Sequence, residues 1–476
     1  MIAALAVCSL AFAAAAAADE PDRSHQPAAA AASAWTPPTP ARFNALGLDG
    51  YLVERHDVPI VELNIGWNVG SVLDPAGKEG MHALCTDLVG EATKSLDQNA
   101  LADKKADIAA SIAIGAGREF ARMSVRVAKE RLAPALDLAA QVLLEPALAS
   151  ADLERLRAQA KASVLHERGS ADAVAGRVLG PVMFGAAHPY GHVVTEKSLD
   201  AITAADCASV AGLFKPDGAK IVVVGDVTAA EMQKLLQDRL AAWKGKAPGK
   251  PRIGPPQSMN GTIFFVDVPG AAQSRIVVGH FGPSRNASDY YATSLMAAVL
   301  GGGIPSRVVQ NLRERNGYTY GARGGFNYTR TTSTFTIASS VRTDATGKAL
   351  REVMNEMSGM TAKPPTDDEV NRERSGTIRA LPNRFGTGGG TLGSIAELLI
   401  YELPLDTWQK LPADVAAVST DKVRQAVKDH LRTTGLVVVV AGDKAKIGAD
   451  LDALAVEGVF GKGGLVALDG DALPRK

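Results

Sequence analysis

Cysteine is nearly absent from this chain of 476 residues: there are three, and Cys8 lies in an apolar N-terminal run, leaving only Cys85 and Cys207 beyond it. Two cysteines exclude a scaffold held together by disulfides, so stability must come from cores, which a chain of this length can bury. A charge imbalance is also missing. Lys+Arg and Asp+Glu both number 51, and no basic stripe is visible. That excludes the electrostatic footprint of a nucleic-acid binder. The long apolar run is confined to the N-terminus, so no stable membrane span is expected.

That run, Ile2 to Ala18, stops at Asp19, with Ala16 and Ala18 where a signal peptidase selects small residues. It lacks a basic start, yet its shortness and alanine content read as a secretory signal over residues 1–18 rather than an anchor. "LAVC" is a poor lipoprotein box, because valine stands before the cysteine. The expected location is secreted, in the periplasm. Residues 19–42, rich in Ala, Pro and Ser, read as a flexible lead-in.

The remainder looks like one plan written twice. "KGKAPGKPRIGPPQ" (244–257) reads as a linker between halves of similar size, 43–243 and 258–450, with a tail at 451–476. The halves end alike, in "KIVVVGDV" and "GLVVVVAGDK"; such β-branched runs suit central strands buried on both faces. They also begin alike, with strands in "GYLVERHDVPIVELNIGW" and in "GTIFFVDV" and "SRIVVGHFG". Long helical segments follow. In Ala151 to Glu167, Leu153, Leu156, Ala160 and Val164 recur at helical spacing. The expected fold is α+β, two homologous-looking halves, each a mixed or antiparallel sheet packed against helices.

Three stretches hold residues able to carry chemistry. In "GKEGMHALCTDLVGEAT" (77–93), His82 starts a helix, but a helical zinc site needs two ligands at i and i+4 with a glutamate beside them. Neither the frame from His82 nor that from Ala83 supplies them. A His82–Cys85 pair would suit a soft metal only with further ligands, and none is at local spacing; the residue reads as a packing residue. "HPYGH" (188–192) has i,i+4 histidines, but Pro189 and Gly191 break a helix, so it reads as a turn. In "VLGGGIPSRVVQNLRERNGYTYGARGGF" (299–326), a helix with Val308, Val309 and Leu312 inward stops near Gly317. Arg313 sits at its C-terminal end, where a cation is favoured. Tyr320 follows seven residues on, in a strand. On residue types alone, both are equally well read as structural.

Taken in order, "GSVLDPAGKEG", "HPYG", "VVVGDV", "VDVPGAAQSRI", "LGGGIPSRVVQNLRERNGYTYGA" and "VVVAGD" resemble the insulinase-like (pitrilysin, M16) zinc peptidases in their short bacterial form, over Phe43 to Ile447. The resemblance implies paired α+β domains and, in catalytic members, H-x-x-E-H on the first long helix. Here Ala83, Thr86 and Asp87 fall on the histidine, glutamate and histidine positions, and His82 is one place out of frame. No residue is assigned to the family's third ligand, a glutamate on a later helix; Glu167 lies in that region. Arg313 and Tyr320 match the family's arginine–tyrosine pair, which faces the zinc half across a chamber and holds the substrate.

The resemblance therefore implies a zinc-less subunit that binds no metal or cofactor itself. Its partner would be a zinc-bearing homologue, in a heterodimer or higher assembly, acting on unfolded peptide. A peptide can add to a sheet edge by main-chain hydrogen bonds, zinc polarises the carbonyl, and a guanidinium and a phenol stabilise the developing charge. Two other readings stay open: an inactive scaffold with no role in cleavage, and an independent enzyme using His82, Cys85 and Asp87.

Overall fold

Runs of β-branched residues form the strands that set the architecture. The computed structural model describes residues 35–256 and 261–474; the signal-peptide segment and most of the lead-in lie outside them. In the first half the strands are β1 (Ala41–Ala45), β2 (Leu48–Glu54), β3 (Ile60–Trp67), β4 (Ser111–Ala116), β5 (Ala121–Ala128) and β6 (Lys220–Gly225). In the second they are β7 (Thr262–Asp267), β8 (Gln273–Gly282), β9 (Thr319–Tyr328), β10 (Ser333–Arg342), β11 (Val437–Gly442) and β12 (Leu465–Leu468).

The sheets run β1-β2-β6-β3-β5-β4 and β12-β7-β11-β8-β10-β9. Their inner strands correspond. β2 is parallel to β6, which is antiparallel to β3, and β7 is parallel to β11, which is antiparallel to β8. The valine runs of β6 and β11 are the central strands, buried on both faces. The chain is thus α+β and built of two halves on one plan. The first edge strand breaks the correspondence: β1 precedes β2 and is antiparallel to it, whereas β12 follows β11 in the chain and is parallel to β7.

One face of each sheet packs on helices of its own half. Leu63, Ile65 and Trp67 of β3 meet Leu84, Leu88 and Leu136. Ile276 and Val278 of β8 meet Leu295, Leu300 and Leu350. The opposite faces are covered reciprocally. The Ala171–Phe184 helix of the first half lays Val174, Val178 and Phe184 on Val277, Val437 and Val439 of the second sheet. The Gly388–Ile400 helix of the second half lays Leu392, Ile395 and Leu398 on Val53, Val222 and Val224 of the first. Residues Thr36–Lys476 accordingly form one compact unit.

Two segment assignments change. Residues 451–474 are no tail: the Lys444–Glu457 helix packs Leu451 and Leu454 in the second core, and β12 extends the second sheet. Asp471 then binds Arg168 and Arg177 of the first half, Oδ1 lying 2.7 Å from Arg177 Nη2. The 244–257 stretch is docked over its described part: Asn68 Nδ2 donates to Pro248 O at 3.3 Å, and His188 Nε2 lies 3.0 Å from Gly254 O.

Candidate functional site

The Met81–Glu91 helix begins at Gly80, whose left-handed φ of 95° only glycine adopts without strain. Asp74 caps it. Its carboxylate accepts from Gly80 N (2.7 Å) and His82 N (2.9 Å), and lies 2.7 Å from His82 Nδ1. An anion at a helix N-terminus also meets the favourable end of the helix dipole. His82 is 2% exposed, so its ring is committed to fixing this turn.

The three zinc positions lie on the same helix and do not fit a zinc ion. Ala83 has no donor atom. Thr86 Oγ1 is buried without a hydrogen-bond partner. Asp87 is a lone carboxylate, pushed above the usual range by burial and then by Glu91. A catalytic zinc needs three convergent protein ligands. Among the described residues, no group of three or more His, Cys, Asp or Glu is placed to hold a metal. Glu167 pairs instead with Arg177 Nη1 at 3.2 Å. The His82/Cys85/Asp87 alternative also falls, because Cys85 is bonded to Cys207 of the Ala204–Ala211 helix. That disulfide was missed from sequence, since a separation of 122 residues carries no local signal.

Arg313 and Tyr320 come together. The helix begun at Arg307 widens to π geometry over Gln310–Arg315, with Asn316 N donating to Asn311 O at 3.1 Å. Such widenings frequently sit at functional positions. Gly317, at φ 61°, turns the chain into β9. There Thr319 pairs with Val341 and Ala322 with Ser339, so Tyr320 and Gly321 together face Ser340 alone. This β-bulge on an edge strand turns Tyr320 outward. Tyr320 is 87% exposed, and the Arg313 guanidinium carbon lies 4.8 Å from its ring centroid. Arg313 Nε also pairs with Glu314 at 3.2 Å. Upstream, Arg307 is clamped by both oxygens of Glu369, each at 2.7 Å, which ties the base of this helix to the Asp367–Arg384 helix.

A cavity of about 640 Å³ opens elsewhere, between the first sheet and the Gly388–Ile400 helix. Ala83 and Asp87 line it, as do Ala113, Gly115 and Gly117 along β4 and its exit. Neither Arg313 nor Tyr320 does. One chain therefore does not unite the arginine–tyrosine pair with the former zinc positions at this cavity.

"HPYGH" is a 3-10 turn, Pro189–Gly191, as its proline and glycine dictate. Tyr190 OH donates to Glu119 Oε1 at 2.7 Å, and Arg330 of the second half lies 3.3 Å from the same carboxylate. The turn thus belongs to a buried polar contact between the halves. No helix among the described residues is long and apolar enough to cross a membrane.

The architecture defines a class before any name: an α+β chain of two halves on one plan, with no group of metal-holding side chains among its described residues. The family model for insulinase (peptidase family M16) matches residues 52–179, and the model for the peptidase M16 inactive domain matches residues 210–377. The chain belongs to the insulinase-like M16 family, as a homologue without the catalytic ligand set. It is similar to the non-peptidase homolog YmxG of Helicobacter pylori, 21% identical over 83% of this chain and 91% of that one. An uncharacterized zinc protease of Rickettsia bellii is 22% identical over 70% of this chain and 81% of the relative. The crystal structure of a peptidase M16 inactive domain from Pseudomonas fluorescens superposes with a TM-score of 0.78, at 23% identity, over 85% of this chain and 98% of that one.

Proposed function

We propose that this chain is the zinc-less subunit of a two-chain M16 peptidase, acting outside the cytoplasm on unfolded peptide. The observation that carries the proposal is the stacked Arg313–Tyr320 pair, set on a solvent-facing edge strand by a π-wound turn and a β-bulge. A guanidinium and a phenol so placed can donate to an oxyanion that develops on a neighbouring molecule. Zinc and its attacking water would be the partner's, since this chain's own positions do not fit the ion. Half of the peptide chamber would come from each chain. The Cys85–Cys207 disulfide supports an oxidising compartment such as the periplasm, the location that a secretory reading of residues 1–18 would require.

The name of the Helicobacter pylori relative favours a second reading, a structural homologue with no part in cleavage. One experiment separates the two. The chain is mixed with a zinc-bearing M16 homologue encoded in the same genome, and hydrolysis of an unfolded peptide is followed by mass spectrometry. Cleavage that neither chain achieves alone supports the subunit reading. A rate set by the zinc-bearing chain alone, unchanged by mixing, supports the scaffold.

A further inference from the structure

Tyr320 owes its outward position to one extra residue in β9. Residues opposite one another in an antiparallel ladder share a face of the sheet. Thr319 is opposite Val341 and Ala322 is opposite Ser339, and Val341 and Ser339 are both buried. Thr319 and Ala322 therefore belong to the same inward face, three positions apart, where a regular strand repeats every two. If β9 kept the register of Ala322 to its start, Tyr320 would stand opposite Val341 and turn into the second core. The bulge prevents this and leaves Tyr320 exposed against the Arg313 guanidinium.

Glycine does not hold the bulge. Neither Tyr320 nor Gly321 has a positive φ, and a Cβ built on Gly321 would meet nothing within 4 Å. Two hydroxyls hold it instead. A bulge leaves its extra residue out of the ladder, so the N–H and C=O there need other partners. Gly321 N donates to Thr319 Oγ1 at 3.1 Å. Gly321 O lies 2.9 Å from Ser339 Oγ and 2.9 Å from Thr319 Oγ1. Ser340 O, on the residue facing the bulge, lies 2.7 Å from Thr319 Oγ1. One placement of the two hydroxyl protons serves both carbonyls: Thr319 donates to Ser340 O, and Ser339 donates to Gly321 O.

Arg313 is fixed by other means. Its turn is closed by the main chain: Gly317 N donates to Arg313 O at 3.2 Å, Tyr318 N to Leu312 O at 2.8 Å, and Arg342 N to Tyr318 O at 2.9 Å. The guanidinium is thus set by the helix and the ring by the strand, and they meet where the bulge brings them together.

We propose that Thr319 and Ser339 are positioning residues for the Arg313–Tyr320 pair: their hydroxyls replace ladder bonds at the bulge and so keep the Tyr320 ring under the guanidinium. Both act through Tyr320. The proposal deepens the two-chain reading and rests on it for any effect on rate, whereas the placement of the pair is measurable without a partner.

The test has two arms. In the first, the chain alone is labelled with 3-fluorotyrosine, and the Tyr320 resonance among the eight tyrosines is identified by its loss in Tyr320→Phe. Arg313→Ala is expected to move that resonance, because the guanidinium lies against the ring. Thr319→Val, which keeps the shape and removes the hydroxyl, is expected to move it too and to make it blind to Arg313→Ala. Ser339→Ala is expected to do the same, and it carries the test if circular dichroism finds Thr319→Val unfolded. Thr319→Ser, which retains the hydroxyl, is expected to keep the original shift and its response to Arg313→Ala. In the second arm a zinc-bearing homologue is added. Thr319→Val is expected to lower kcat about tenfold or more, with KM held within about twofold, and Thr319→Ser to restore most of the rate. A Tyr320 resonance that still responds to Arg313→Ala in both Thr319→Val and Ser339→Ala overturns the proposal. Partner-dependent cleavage at the original rate by both variants also overturns it, and leaves the two-chain reading standing. No cleavage by the unaltered chain removes the two-chain reading, and the fluorine arm then decides the role of the two hydroxyls by itself.

Discussion

His82 and Asp74 are bound twice over, side chain to side chain at 2.7 Å and backbone N–H to carboxylate at 2.9 Å. This one carboxylate organises the loop, the helix start and the histidine together. Replacing it strands three donors in a buried site. Asp74→Ala is expected to cost about 2–4 kcal/mol of stability in urea unfolding. Zinc or a chelator should leave the unfolding midpoint of the unaltered chain unchanged, because His82 has no vacancy for a metal. A stoichiometric, stabilising zinc would contradict this.

Arg313→Ala is expected to lower partner-dependent turnover by about two to three orders of magnitude, the scale for loss of a transition-state donor. Tyr320→Phe keeps the ring under the guanidinium and removes only the hydroxyl, so it should retain the stack and lose part of the rate. Because Tyr320 is solvent-facing, thermal stability should shift little in either variant. Metal content of the partner, measured by atomic emission, should not change.

The Cys85–Cys207 bond closes a loop spanning 122 residues between two buried helix positions. Cys207→Ser, or exhaustive reduction, is expected to lower stability by roughly 2–5 kcal/mol. Differential scanning calorimetry with and without reductant measures it. Thiol titration of the native chain should find neither cysteine free.

His280 supplies a pH dependence. Burial pushes its imidazole down to about 4; Arg432 and His430 act in the same direction, while Phe281 O, 2.8 Å from Nδ1, opposes them. The ring stacks on Phe335 with centroids 5.0 Å apart. Unfolded, it takes a proton below about pH 6.5, and folded only below about pH 4. The unfolded state therefore binds more protons in that window, and stability falls as pH drops from 6.5 to 4. The loss amounts to roughly 3 kcal/mol. Urea unfolding across this range should show the slope, and His280→Asn should flatten it.

Arg307 and Glu369 form a two-pronged ion pair at the base of the turn that carries Arg313. Hydrogen bonds from Arg307 are the main cause holding the Glu369 carboxyl down at about 2. A depressed carboxylate stabilises above its unfolded pKa near 4.5, and the benefit is lost as pH falls toward 2. Glu369→Gln should destabilise by about 1–3 kcal/mol at neutral pH. Hydrogen exchange should then rise first at Asn316 and Tyr318, where the π-wound segment ends.

What the sequence made legible is local. The strand-then-turn endings at Gly225 and Gly442 became the central strands, and the glycine at 317 turned the chain so that Arg313 met Tyr320. What it hid is non-local. Arg122, Gly66 and Lys220 arrive side by side from three separate strands, and no spacing along the chain encodes that order. Residues 451–474 looked like a tail because β12 is short, and its place comes from β7 beside it and from the core that buries Leu468. The bulge at Tyr320 joins a local device to a distant one: Gly321 N donates to Thr319 Oγ1 at 3.1 Å, and the same hydroxyl donates to Ser340 O of β10 at 2.7 Å.

The exchange of covering helices sets an order for synthesis. When Trp243 has emerged, the first half holds every strand of its sheet, yet Val53, Val222 and Val224 stay uncovered until the helix at 388–400 is made. A chain that ends before that helix leaves Val53, Val222 and Val224 as a bare apolar strip on the first sheet, so the first half does not close its own core.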